Sequence, residues 1–203
     1  MNNMKYLLIL LLMTRMSCFA QDYKALIAEH RKGYTEDFLK DQNSPLKKDD
    51  LPFLRFYDAD STYRVTAKAE ILLNAPTFLM PVFSGGGQQY TRYATLKFEL
   101  KGKPMELTVY KSIALAANPQ YSDYLFLPFT DDTNGKDTYG GGRYIDLSTK
   151  DFKGNTVVID FNKAYNPYCA YSGGYSCPKP PGENKLELAV EAGEKIFAGT
   201  KKH

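Results

Sequence analysis

Between Leu125 and Glu183 the chain gathers Asp, Asn, Arg, Tyr and Cys, side chains that recognise or react, on Gly- and Pro-rich backbone. In Tyr139-Gly140-Gly141-Gly142-Arg143-Tyr144 the glycines let the backbone approach something closely, and Arg143 offers a planar fork for a carboxylate or phosphate. An ion pair of Arg143 with Asp160 or Glu183 inside the fold weighs equally. The stretch is no phosphate loop, because the Gly-Lys-Ser/Thr ending is missing and no helix pattern follows. Asp131-Asp132-Thr133-Asn134-Gly135 reads as turn chemistry. A calcium loop fails there, since Gly142 stands where a bidentate Glu is required.

Catalytic templates are short of histidine. Only His30 and His203 occur, so a Ser-His-Asp or Cys-His site would have to recruit His30, and a His-cluster metal site is excluded. Paired carboxylates drawn from Asp131, Asp137, Asp160 and Glu183 leave acid–base chemistry open. Cys169 and Cys177 lie in an aperiodic stretch between Phe161 and Lys185, longer than loops usually are unless they are functional. A disulfide between them is the first reading and would constrain the unfolded chain by about 2–3 kcal/mol. A metal site is the second, without the usual Cys-x-x-Cys spacing. No metal or cofactor is assigned.

The elements that must position these residues are mostly strands. Thr62 to Ile71 alternates apolar and polar, Thr77 to Phe83 is strand-like, and Tyr90 to Leu100 turns at Lys101-Gly102-Lys103-Pro104 into Met105 to Val109. In the first arm of that hairpin Tyr90, Ala94, Leu96, Phe98 and Leu100 read as one face. Tyr124–Phe129, Arg143–Leu147, Thr156–Phe161 and Lys185–Val190 complete about eight strands. From Asp22 to Lys40, Tyr23, Leu26, Ile27, Tyr34 and Phe38 recur at helical steps, which predicts an amphipathic packing arm with Gly33 a weak point. His30 falls on or near its apolar side, where a lone His reads as a core or boundary residue. The expected fold is mainly β, an antiparallel barrel or sandwich, with one N-terminal amphipathic helix. Missing helical crossovers argue against a parallel nucleotide-binding sheet.

The 203 residues suit one domain, and 43% apolar with 14% aromatic content reads as globular. Lys5, the apolar run Tyr6 to Met13 and small Ala20 predict a signal peptide over residues 1–20. A helical arm over 21–42 and a single β-rich domain over 43–203 follow it. The apolar run is too short for a permanent span, so the mature chain is expected to have no transmembrane segment. Export to the periplasm or beyond the cell is expected. A lipoprotein anchored through Cys18 is disfavoured by Arg15 in the lipobox region. Lys5 and Arg15 leave with the leader, so 26 basic residues become 24 against 23 acidic, which gives no electrostatic case for nucleic acid.

The segments Leu127–Tyr144 and Asp160–Tyr171, followed by Cys177-Pro178-Lys179-Pro180-Pro181-Gly182-Glu183-Asn184, resemble the bacterial and archaeal family called domain of unknown function 1684. Ser44-Pro45-Leu46 and Tyr63-Arg64-Val65 fit the same pattern, so the resemblance spans roughly Ser44 to Lys195. It implies one constellation of Asp131, Thr133, Tyr139, Arg143, Asp160, Asn162, Tyr165, Asn166, Tyr168, Cys169, Cys177, Glu183 and Asn184, and assigns no activity. It also lifts the metal or reactive-thiol reading of the cysteines, because members without export leaders carry them. The expected function is binding of a small molecule, a sugar or an anionic metabolite, by Asp131, Tyr139, Arg143, Asp160, Asn162, Tyr165, Asn166, Tyr168, Glu183 and Asn184. An enzyme using Cys169 or paired carboxylates is the alternative, and a purely architectural polar network is the third reading.

Overall fold

The computed structural model describes residues 21–202 in full. The expected leader over residues 1–20, with Cys18, lies outside the described residues. The sheet is built around a long hairpin, β3 (Gly87–Leu100) and β4 (Lys103–Ser112). Lys101 (φ 51°) and Gly102 (φ 75°) make a two-residue turn with both residues in the left-handed region, which matches the twist of the paired strands. Pro104 therefore belongs to β4 and not to the turn.

β1 (Arg64–Ile71) and β2 (Thr77–Pro81) lie in tandem along the other edge of β3, and β7 (Thr156–Asp160) pairs outside β1. On the far side β4 is followed by β5 (Tyr124–Phe129) and β6 (Arg143–Ser148), giving the order β6-β5-β4-β3-β1-β7. All pairings are antiparallel, and the single sheet curls into a half-barrel. Among the described residues no helix is long and apolar enough to cross a membrane.

Alternation along the strands divides this sheet into two apolar faces. Leu107, Val109, Leu125, Leu127, Phe129, Ile145 and Leu147 point into the main core, where Ile159, Phe161, Leu186 and Val190 join them. Tyr110, Phe126 and Tyr144 point the other way, into an aromatic cluster with Met80 and Tyr90. A bulge between Arg92 and Ala94 reverses the facing of β3. Tyr90 thus lies with the aromatic cluster, while Ala94, Leu96, Phe98 and Leu100 lie in the core, a correction to the single-face reading of that strand.

Lys185–Val190, expected as a strand, forms no ladder beyond one bridge from Lys185 to Thr130. Leu186 N–H donates to the Thr130 carbonyl (2.8 Å) and the Leu188 carbonyl accepts from Asp132 N–H (3.1 Å), whereas Val190 is held by side chains: its N–H donates to Asp131 Oδ1 (3.2 Å) and its carbonyl accepts from Arg143 Nη2 (2.9 Å). Leu186 and Val190 are buried all the same, so the period-two burial held while the ladder did not.

The helical arm is α1 (Asn2–Lys40), and it buries Ile27 and Phe38. Tyr23 donates to Asp160 Oδ1 (2.8 Å), Arg31 to the Tyr57 carbonyl (2.8 Å) and Tyr34 to Glu194 Oε2 (2.9 Å). A single turn, α2 (Ile113–Ala116), follows β4 and is capped by Ser112.

The glycine run beside β6 approaches the protein itself. A Cβ on Gly141 would sit 2.5 Å from the Tyr139 ring and 2.7 Å from that of Phe83. One on Gly142, at φ +88°, would sit 2.7 Å from the Phe129 carbonyl oxygen. Gly142→Ala is expected to destabilise the fold by about 2 kcal/mol or more, read as a lower urea midpoint at unchanged m-value.

Candidate functional site

The motif residues around Arg143 assemble beneath the surface. Arg143 has no exposed area, and its Nη2 lies 2.8 Å from the equally buried Asp131 Oδ2. Nη1 donates to the carbonyls of Ala192 and, at 3.3 Å, Glu194. The guanidinium therefore pins the segment 190–194 against β6, with Asp131 as its counter-ion in place of Asp160 or Glu183. Asp131 Oδ1 also takes the Thr133 N–H (2.9 Å) and hydroxyl (2.5 Å).

The expected asparagines serve backbone in the same way. Asn184 mimics a strand, accepting from Thr108 N–H (2.7 Å) and donating to the carbonyls of Thr108 (2.8 Å) and Pro128 (2.6 Å). Asn162 donates to the Asp60 carbonyl (2.8 Å) and Tyr23 Oη (2.8 Å), joining Asp160 under α1. Asn166 donates through its side chain to the Lys195 carbonyl (2.8 Å) and through its backbone to Glu194 Oε2 (2.9 Å). Glu183 sits at the surface with Arg92 (2.8 Å) and Tyr110 Oη (3.0 Å), and Tyr139 packs on Phe83. Cys169 and Cys177 are at disulfide-bonding distance, with Cα atoms 6.3 Å apart.

Glu194 is the deepest carboxyl, with no exposed surface. It accepts from Tyr171 Oη (2.6 Å), Tyr34 Oη (2.9 Å) and the Asn166 N–H. Burial pushes its pKa up to about 7, against the lowering effect of those hydrogen bonds.

A cleft of ≈ 860 Å³ opens on the aromatic face of the sheet. Its floor is Tyr90, Phe126 and Tyr144, one wall is α1, and the segment from Lys163 to Pro178 forms the other. The three- and four-residue steps of α1 bring His30, Gly33, Tyr34, Asp37 and Phe38 to this wall. A Cβ on Gly33 would touch nothing within 4 Å, so the helix there faces open space. Tyr165 and Tyr168 line the cleft, with Cys177 at its edge; among the other expected site residues, Asp160 lines a smaller cleft of ≈ 370 Å³ with Arg64 and Lys163.

Asp146 is the polar group on the floor, sharing a strand face with Tyr144. Its Oδ1 accepts from both Tyr124 Oη and Tyr165 Oη, each at 2.7 Å. Protein surrounds the carboxyl, yet its side chain keeps exposed surface, and Asp146 lines both this cleft and the smaller one beside Arg64 and Lys153. Desolvation raises its pKa, and the two tyrosines oppose the rise. The His30 pKa is lowered, first by burial and then by the charge of Lys163, so its imidazole is neutral at pH 7.

Sequence reasoning missed Asp146, Tyr34, Tyr90, Tyr124, Phe126 and Tyr144 as cleft residues. One signal was available: Tyr124/Phe126 and Tyr144/Asp146 occupy the faces of their strands opposite the Leu and Ile positions. Among the described residues no group of three or more His, Cys, Asp or Glu is placed to hold a metal ion.

None of the curated proteins matches this chain. Among solved structures, the solution NMR structure of an uncharacterised protein from Haloarcula marismortui is similar, at 33% identity and a TM-score of 0.67. The alignment covers 87% of this chain and 95% of that one. A family model described as "Protein of unknown function (DUF1684)" matches residues 50–195, which include β1 to β7 and the Asp131–Arg143 and Asn162–Asn184 motifs. The chain belongs to that family, DUF1684.

Proposed function

We propose that this protein is an exported small-ligand-binding half-barrel whose site is the cleft between α1 and strands β5 and β6. The observation that carries this reading is the cleft itself. Its ≈ 860 Å³ falls within the range of small-molecule sites, and aromatic rings around a few convergent polar groups are their usual lining. Export is supported by the leader pattern over residues 1–20. Polar contacts inside the Arg143 and Asn184 networks hold the walls in place, and ligand contact falls to Tyr165, Tyr168 and Asp146.

Gly33→Leu tests this cleanly, because the added side chain projects into open cleft and replaces a glycine inside a helix. Stability is expected to hold or to rise by about 0.5–1 kcal/mol. Isothermal titration of the mature protein with a panel of sugars, organic acids, amino acids and amines should find binders that the variant loses at least about tenfold. Binders untouched by Gly33→Leu, or a panel with no binder at all, would sink the reading.

A further inference from the structure

We propose that the cleft takes an organic cation, a compound with an alkylated ammonium head, held between aromatic ring faces and the Asp146 carboxylate. This rests on the cleft being the binding site, and it narrows the ligand by what the lining still has to offer.

Hydrogen-bond donors are nearly exhausted. The hydroxyls of Tyr124 and Tyr165 donate to Asp146, that of Tyr34 to Glu194, that of Tyr144 to the Pro178 carbonyl and that of Tyr168 to Asp41 (2.8 Å). Tyr175 gives its hydroxyl to the Asn43 carbonyl (2.6 Å), and Gln88 Nε2 is bound to the Ser176 carbonyl (3.1 Å). Tyr90 donates to Gln88 Oε1 (3.4 Å) and Ser176 Oγ pairs with Ser84 Oγ (2.9 Å), which leaves Lys163 and the single N–H of neutral His30 as the donors for an anion, or for the acceptor half of a sugar's hydrogen bonds. Acceptors and ring faces are plentiful.

The charges point the same way. Glu29, Asp37 and Asp146 line the cleft against Lys163 alone, because His30 is neutral. Asp37 shares one oxygen with Lys40 (2.8 Å), an exposed pair that weakens its charge little in water. Both tyrosines converge on Asp146 Oδ1, and among the described residues no hydrogen bond reaches Oδ2.

Ring geometry adds shape to this balance. Phe126 and Tyr144 meet at 77° with centroids 4.7 Å apart, and Tyr144 and Tyr165 at 88° and 5.8 Å. Such edge-to-face contacts set the ring planes around the cleft in different directions, and the face of each ring carries the negative side of its quadrupole. A compact cation is attracted to several faces at once, whereas a sugar chair stacks its C–H face on one open platform.

The test compares choline with its neutral carbon isostere, 3,3-dimethylbutan-1-ol, and with glucose and acetate, by amide chemical-shift titration of the mature protein. Choline is expected to shift Gly33, Tyr34 and Asp146 and to bind at least about tenfold more tightly than the alcohol. Asp146→Asn keeps an oxygen for both tyrosines, so it should lose most of that preference while alcohol binding persists. Phe126→Leu, which keeps apolar volume without a ring face, should weaken choline more than the alcohol. Equal binding of choline and the alcohol, or shifts at these residues from glucose or acetate alone, would overturn the cation and leave the cleft standing. No response there to any of the four would likewise overturn the cation, and the cleft itself would then stand or fall by the wider panel.

Discussion

Arg143→Ala is expected to cost about 3–5 kcal/mol of folding stability, the penalty of leaving a buried charge without its partner. Asp131 has no exposed side-chain surface and would keep an uncompensated carboxylate against β6. The carbonyls of Val190, Ala192 and Glu194 would lose their donor together, freeing a segment that places Val190 and Ala192 in the core. Guanidinium titration of the wild type, Arg143→Ala, Asp131→Ala and the double variant Asp131→Leu/Arg143→Met measures this. The double variant should cost less than either single truncation, since no charge is then stranded. A loss under about 1 kcal/mol for Arg143→Ala would show the network to be incidental.

The second large effect has the opposite sign. Glu194→Gln should stabilise the protein at about pH 8 by as much as about 3 kcal/mol, which is what the rise from 4.5 to about 7 represents. Below about pH 4.5 the folded and unfolded chains both hold this proton, and the cost is absent. Between about 4.5 and 7 the unfolded chain releases it and the folded chain does not, so stability falls as pH rises. Above about 7 both are ionised and the loss is complete. Gln can copy the protonated acid: its oxygen accepts from the Asn166 N–H, and its amide donates to a rotated Tyr171 hydroxyl. Thermal melts across this window should show the variant's advantage growing with pH and then levelling. An advantage that is flat with pH would mean that Glu194 is ionised throughout.

Much of the scaffold was legible in the sequence because alternation and turn chemistry are local. The Lys101-Gly102 turn, strands β1 to β7 and the helical face of α1 all follow from residues within a few positions of one another. The site was less legible for a physical reason. In Tyr144-Ile145-Asp146-Leu147 an acid opposite a core face reads as solvent-facing, and only the docking of α1, more than a hundred residues earlier, turns that surface into a cleft wall. Tyr90 was misfaced because one bulge residue reverses a period-two pattern, and nothing in its neighbours announces the bulge. Arg143, Asp131, Asn162 and Asn184 drew attention for a similar cause. Irregular buried backbone needs donors and acceptors from side chains, and it recruits the residue types that ligands recruit.

The most direct test of the cleft as the site is amide chemical-shift mapping of the mature protein with the tightest small molecule from the panel. The account predicts shifts that cluster on Gly33, Tyr34, Asp146 and Tyr165, from both walls and the floor, and that vanish in Gly33→Leu. Shifts that cluster instead on Arg64, Lys153 and Asp160, or around the Arg92–Glu183 pair, would contradict it.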